Sequence, residues 1–209
     1  MLELSGSPEF VVFTTRDYAA AGGASLSSAS RRLHRLSERD ALTRVTKGVW
    51  ANTRHPHFHP LACVPYLLGK EQGYVSFLTA LHLHGMLSQI PRSYQIATTG
   101  RPRLLDSPVG RFEILRIKPD LMRDGVDWSD THQPFLLASA EKAMLDTLYI
   151  STRKKRRFSS LPELDLDTAF DHRAFERLLN ELPYPVRIRS AIASRWLALS
   201  GHASIRASG

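Results

Sequence analysis

Residues Phe13 to Ala51 read FTTRDYAAAGGASLSSASRRLHRLSERDALTRVTKGVWA, and the fold of the chain turns on them. A hydroxyl at Thr14 or Thr15 can accept a hydrogen bond from an orphan amide, and Asp17 favours the positive end of a helix dipole. A helix is expected to begin there, with Tyr18, Ala19 and Ala21 on its apolar face. Gly22-Gly23 ends it, because glycine tolerates the left-handed backbone of a sharp turn. Ser25 or Ser27 can cap a second helix, whose Leu26, Ala29, Leu33 and Leu36 recur at three- and four-residue steps and form one buried stripe. Ser28, Arg31, Arg32 and Arg35 share the opposite face. Leu42 to Val45 and Val49 to Ala51 then read as two strands around a turn at Thr46-Lys47-Gly48, and Phe10 to Phe13 as a short strand joining them.

A short helix, a glycine turn and a helix with an arginine and serine outer face is the layout of a helix-turn-helix, and the hairpin beside it is a wing. Arginine bridges two acceptors of a guanine or a phosphate, and serine lets the backbone come close. The candidate DNA-binding residues are therefore Ser27, Ser28, Arg31, Arg32 and Arg35 on the helix, with Arg44 and Lys47 on the hairpin to meet the phosphate backbone. The bland alternative is a solvated amphipathic helix with arginines outside; the basic hairpin tip weighs against it.

Outward from this stretch, the balance of charge agrees. The 209 residues carry 28 Lys and Arg against 20 Asp and Glu, a net charge of +8 with an isoelectric point near 10. That points to a polyanionic partner, nucleic acid before membrane. Arg153 to Arg157 is RKKRR, which reads either as a solvated, self-repelling run or as a second nucleic-acid or partner contact made by Arg153, Lys154, Lys155, Arg156 and Arg157. Arg101 and Arg103 are a weaker pair of the same kind. Cys63 is the single cysteine, so neither an intramolecular disulfide nor a cysteine-based zinc site is available. No apolar run is long enough to span a bilayer and no signal peptide is visible, which makes a cytoplasmic protein without a membrane partner the expectation.

Asn52 to Pro60, NTRHPHFHP, reads as a linker, and a domain boundary is expected between residues 1–54 and 55–209. Beyond it the pattern predicts helices over 61–68 and 74–86, a strand over 94–99, a polar loop at 101–103 and a strand over 110–118 at a sheet edge or between layers. Helices follow over 139–150, 171–182 and 187–199. Ser139 can cap the first of these three, and Lys142 can pair with Asp146 one turn on. Gly6 to Phe10 reads like a cloning linker, and the tail after Gly201 is expected to fray.

No constellation for catalysis emerges. Pro56 and Pro60 break the set His55, His57 and His59, and His82 and His84 lie on a predicted helix where two-residue spacing points them apart, so neither set suits a metal. A packing or capping role suits His84 better. There is no phosphate-gripping glycine loop and no Gly-x-Ser-x-Gly elbow. Neither a cofactor nor an enzyme is expected.

Three runs together resemble a known family. FTTRDYAAAGGASLSSASRRLHRLSERDALTRVTKGVWA is similar to the winged-helix domain of AbiEi-type antitoxins of type IV toxin–antitoxin systems. YVSFLTALHLHGMLSQIPRSYQIATTGRPR (Tyr74 to Arg103) and ASAEKAMLDTLY (Ala138 to Tyr149) resemble their larger domain. The resemblance implies an α+β chain, an N-terminal winged helix-turn-helix followed by a larger mixed α/β antitoxin domain. It implies repression of the protein's own operon through inverted repeats in promoter DNA, and neutralisation of a nucleotidyltransferase toxin encoded beside it, without need of a stable complex. Two other classes stay open, an enzyme-type antitoxin that modifies the toxin and a metabolite-responsive winged-helix repressor. The chain departs from the family in its short N-terminus and in Asp40-Ala41, where a glycine and an apolar residue are common.

Overall fold

The computed structural model describes residues 10–153, 157–158, 160–166 and 170–206, with side chains as far as residue 200. Met1 to Glu9, most of the predicted cloning linker, therefore lies outside the described residues, as do Lys154, Lys155 and Arg156 of the basic run and the side chains of the tail. Phe10, the last residue of that predicted linker, is described. It is buried against Phe13 and Tyr18, with ring centroids 5.2 and 6.0 Å away.

The first 40 or so described residues form β1 (Val12–Thr14), α1 (Thr15–Ala21), α2 (Leu26–Ser37), β2 (Thr43–Thr46) and β3 (Val49–Ala51). The strands make an antiparallel sheet in the order β1-β3-β2, in which both Phe13 and Arg44 lie across from Trp50. Thr14 caps α1 in a full capping box. Its hydroxyl accepts from the amide of Asp17, whose carboxylate accepts from the amide of Thr14. Such a box is worth about 1 kcal/mol. The turn to α2 runs through Gly23 at φ +58°, and Ser25 provides the cap. Ala29 and Leu33 are buried as expected, and Leu36 is half-buried. Leu26 is 54% exposed and Ala21 is exposed, so the stripe is shorter than its spacing suggests. Ala21 is the last residue of α1 and Leu26 the first of α2.

A 3-10 turn (Pro60–Cys63) leads into α3 (Val64–Leu68), which ends at Gly69 as predicted. Then come β4 (Gly73–Val75), α4 (Phe77–Leu83), β5 (Tyr94–Thr98), β6 (Arg103–Ser107), β7 (Gly110–Arg116), β8 (Val126–Trp128), β9 (Leu136–Ala138), α5 (Ala140–Ser151), α6 (His172–Glu181) and α7 (Val186–Arg206). The larger sheet has the order β6-β7-β5-β4-β9-β8, with β5/β7 and β4/β9 parallel and the other pairs antiparallel. The helix predicted over 74–86 is thus a strand followed by a shorter helix. The loop predicted at 101–103 holds at 101–102, with Arg103 opening β6, and β7 lies inside the sheet between packed layers, the second of its two expected places.

Alternation along the strands divides the core. Tyr74 and Ala97 face α4, α5, α6 and α7, whereas Val75, Ile96, Phe112 and Ile114 face α3 and the back of the small sheet. The chain is a mixed α and β structure in which the six-stranded sheet is covered on one face by helices and on the other by the N-terminal unit. Among the described residues no helix is long and apolar enough to cross a membrane.

Candidate nucleic-acid interface

Trp50 holds the N-terminal unit together. Its ring is 1% exposed and packs in a core with Phe13, Tyr18, Leu33 and Leu42. Its Nε1 donates to Thr15 Oγ1 at 2.9 Å, and the amide of Thr15 donates to the carbonyl of Gly48 at 2.9 Å. The hairpin turn at Lys47-Gly48 is therefore tied to the first residue of α1, and Gly48 takes the φ of +78° that this turn needs. His34 of α2 meets Trp50 edge-on at 5.2 Å, and the Arg44 guanidinium lies 5.8 Å from a Trp50 ring centroid. One indole thus couples both helices to the hairpin. Sequence reading missed this role; a lone tryptophan at the end of a hairpin, next to a buried-face helix, was the available signal.

The predicted contacts fall into distinct classes. Ser27, Ser28, Arg31 and Arg35 are exposed on α2, and Arg44 and Lys47 are exposed on the hairpin. Among the described residues none of these four cations pairs with a carboxylate. Ser25 donates to Ser28 Oγ at 3.0 Å and lies 3.1 Å from Ser27 Oγ, a hydroxyl cluster at the start of α2. Arg32 differs. It is half-buried, with its guanidinium 5.9 Å from the centre of the Tyr18 ring, so it packs α2 onto α1. Between residues 10 and 54 the chain has eight Lys and Arg against three Asp and Glu, which leaves the unit net positive.

The described members of the second set divide. Arg103 donates to Glu71 at 2.7 Å and to the carbonyl of Leu67 at 3.2 Å, and Arg157 pairs with Glu113. Arg101 is exposed. Arg153 stacks on Tyr149, 4.7 Å from the ring centroid.

Several histidines tie the backbone. His59 Nδ1 accepts from the amide of Leu61 and caps the 3-10 turn, and His84 Nε2 donates to the carbonyl of Ala138 at 2.7 Å. His57 meets His132 with ring centroids 3.6 Å apart and the rings tilted by 35°. Cys63 is fully buried, and that burial pushes its thiol up to about 12, which keeps it protonated and unreactive. Among the described residues no group of three or more His, Cys, Asp or Glu is placed to hold a metal.

One polar cluster was not foreseen in full. Lys142 pairs with Asp146, as its spacing predicts, and both are completely enclosed. Tyr74 donates to Asp146 Oδ2 at 2.8 Å and accepts from Lys142 Nζ at 2.8 Å, and Ser76 donates to Asp146 Oδ2 at 2.8 Å. Burial first, and then the Asp146 charge, push the Tyr74 phenol well up, so it remains a donor. Ser76, Lys142 and Asp146 have no exposure, which closes this quartet to a substrate. No protein-family model matches the chain, and no curated protein matches it.

Proposed function

We propose that the N-terminal unit is a winged helix-turn-helix that binds promoter DNA, and that the protein is the AbiEi-type antitoxin of a type IV toxin–antitoxin system. Residues 1–54 would carry DNA recognition and residues 55–209 the antitoxin role against a nucleotidyltransferase toxin, in the cytoplasm and by binding rather than catalysis. The observation that carries the DNA half is the state of Arg31 and Arg35. They stand exposed on α2, unpaired with any carboxylate among the described residues, next to a basic hairpin whose tip is bonded to the start of α1. The toxin half rests on the resemblance of the three sequence runs.

In this reading Ser28, Arg31 and Arg35 enter the major groove while Arg44 and Lys47 hold the adjacent backbone. Arg32, leaning on Tyr18, sets the angle of the helix. The measurement is a mobility-shift titration against the chain's own promoter. Arg31→Ala and Arg35→Ala should each cost about 1–3 kcal/mol and relax sequence preference. Lys47→Ala should weaken all sequences alike and flatten the salt dependence by about one unit of slope. Unchanged binding in both sets would sink the DNA reading. Co-expression with the adjacent gene tests the other half. The Arg31→Ala, Arg35→Ala double variant should lose repression yet still rescue growth, and failure of the native chain to rescue removes the antitoxin assignment.

A further inference from the structure

Away from the α2 face, one cleft gathers positive charge with no carboxylate among the described residues of its lining. It lies between the C-terminal end of α5 and the first turns of α7, and has a volume of about 630 Å³. Its walls include Tyr149, Arg153, Arg187, Ile188, Ala191 and Arg195. Arg187, Ala191 and Arg195 follow at four-residue steps and share one face of α7. Ala191 leaves room between the two guanidinium groups. Arg153 enters from the end of α5, stacked on Tyr149.

Three guanidinium groups so placed repel one another, and an anion between them would relieve that repulsion. None of the three forms an ion pair among the described residues. Arg195 Nη1 is buried without an acceptor, an uncommon state for a guanidinium nitrogen. Arg153 donates to the Tyr149 hydroxyl at 3.0 Å, so that hydroxyl keeps its own proton to give. Ile188 and Ala191 supply the one apolar wall.

We propose that this cleft binds a small phosphorylated ligand of nucleotide size. Arg153, Arg187 and Arg195 would hold a di- or triphosphate through forked, charge-assisted hydrogen bonds, with the sugar or base against Ile188 and Ala191. The volume lies within the range of about 300–1,000 Å³ common for small-molecule sites. The cleft is concave and sits between two helices, whereas a duplex backbone is met by a ridge or a tip. This assignment stands independently of the DNA reading.

The experiment is calorimetric titration of the full chain with ATP, GTP and inorganic pyrophosphate at physiological salt. Binding of at least one probe at a single site is expected. Arg153→Gln and Arg187→Gln, both exposed positions, should each weaken it about tenfold with an unchanged circular dichroism spectrum. Arg111→Gln, at an exposed arginine on strand β7, should leave it unchanged, as should Arg31→Ala. Absence of binding by all three probes overturns the proposal. So does an equal loss with Arg111→Gln, which would mark binding by general charge. If the nucleotides fail while affinity for duplex DNA falls with Arg153→Gln and Arg187→Gln, the cleft is part of a polynucleotide surface and the proposal is wrong.

Discussion

Lys142 and Asp146 stand one turn apart on α5 and have both lost contact with water. A buried charge is tolerated only when it is paired and hydrogen-bonded, and here Tyr74 and Ser76 complete the shell from strand β4 and its end. Removing one charge leaves the other stranded. Lys142→Met should therefore cost about 3–5 kcal/mol in urea unfolding. Lys142→Met with Asp146→Leu should recover part of that loss, although the Tyr74 and Ser76 hydroxyls would then lack their acceptor. A single variant as stable as the native chain would refute the account. The ion pair was legible from its four-residue spacing. Its burial was not, because the two hydroxyls arrive from about 70 residues away in the chain. The same limit applies to arginine. Arg31, Arg32, Arg103 and Arg157 look alike in sequence, yet one is exposed, one leans on an aromatic ring and two are bound to glutamates.

At the scale of elements, the link from α2 to the hairpin depends on Asp40. It adopts φ +54°, and the following amide, that of Ala41, donates to the carbonyl of Leu36 at 3.0 Å. This is glycine's conformation. Left-handed backbone costs a residue with a Cβ about 1 kcal/mol, somewhat less for aspartate. Asp40→Gly should therefore stabilise the protein and raise its melting temperature by roughly 2–4 °C; a lower melting temperature would show that the carboxylate does more than tolerate the bend. Elsewhere the long amphipathic helices were readable, as were β5, β7 and the capped start of α5. Strand β4 was not. With three residues it has no room for a period, and Tyr74 and Val75 serve opposite cores, so both appear apolar. Strand β6 escaped for the opposite reason: none of its five residues is buried and its two leucines, Leu104 and Leu105, are adjacent, so only pairing with β7 makes it a strand.

For the whole molecule, the apolar core runs through the expected domain boundary. Val11, Val12, Val45 and Val49, on the back of the small sheet, share a cluster with Leu61, Val75, Ile96 and Phe112. Tyr66 donates to the carbonyl of Val12 at 2.8 Å and Ser107 to that of Val45 at 3.1 Å across the same join. The two parts should unfold together, in one transition that coincides by tryptophan fluorescence and far-ultraviolet circular dichroism. Two separated transitions would mean that the join is weak. His57 and His59 should add to the acid sensitivity of the fold. Desolvation, followed by the neighbouring imidazoles of His132 and His55, lowers His57, and desolvation lowers His59. A depressed folded value means that the unfolded chain binds protons more readily. Their contribution is thus intact above pH 6.5 and lost as the pH falls through the lower folded values. The melting temperature should decline below pH 6.5 and do so less in a His57→Gln, His59→Gln variant.

The order of helix, turn, helix and hairpin was determined by sequence alone, because caps, glycines and three- or four-residue periods act over a few neighbours. So were the net positive charge and the pairing of Lys142 with Asp146. Only the tertiary structure decided which arginines keep their guanidinium groups in water and that three arginines, one just past α5 and two on α7, line one cleft. It also decided that the hairpin is tied to α1 through Trp50. Those outcomes depend on partners tens of residues distant, and a side chain's charge is the same whether it ends beside a carboxylate, against a ring or at an open surface.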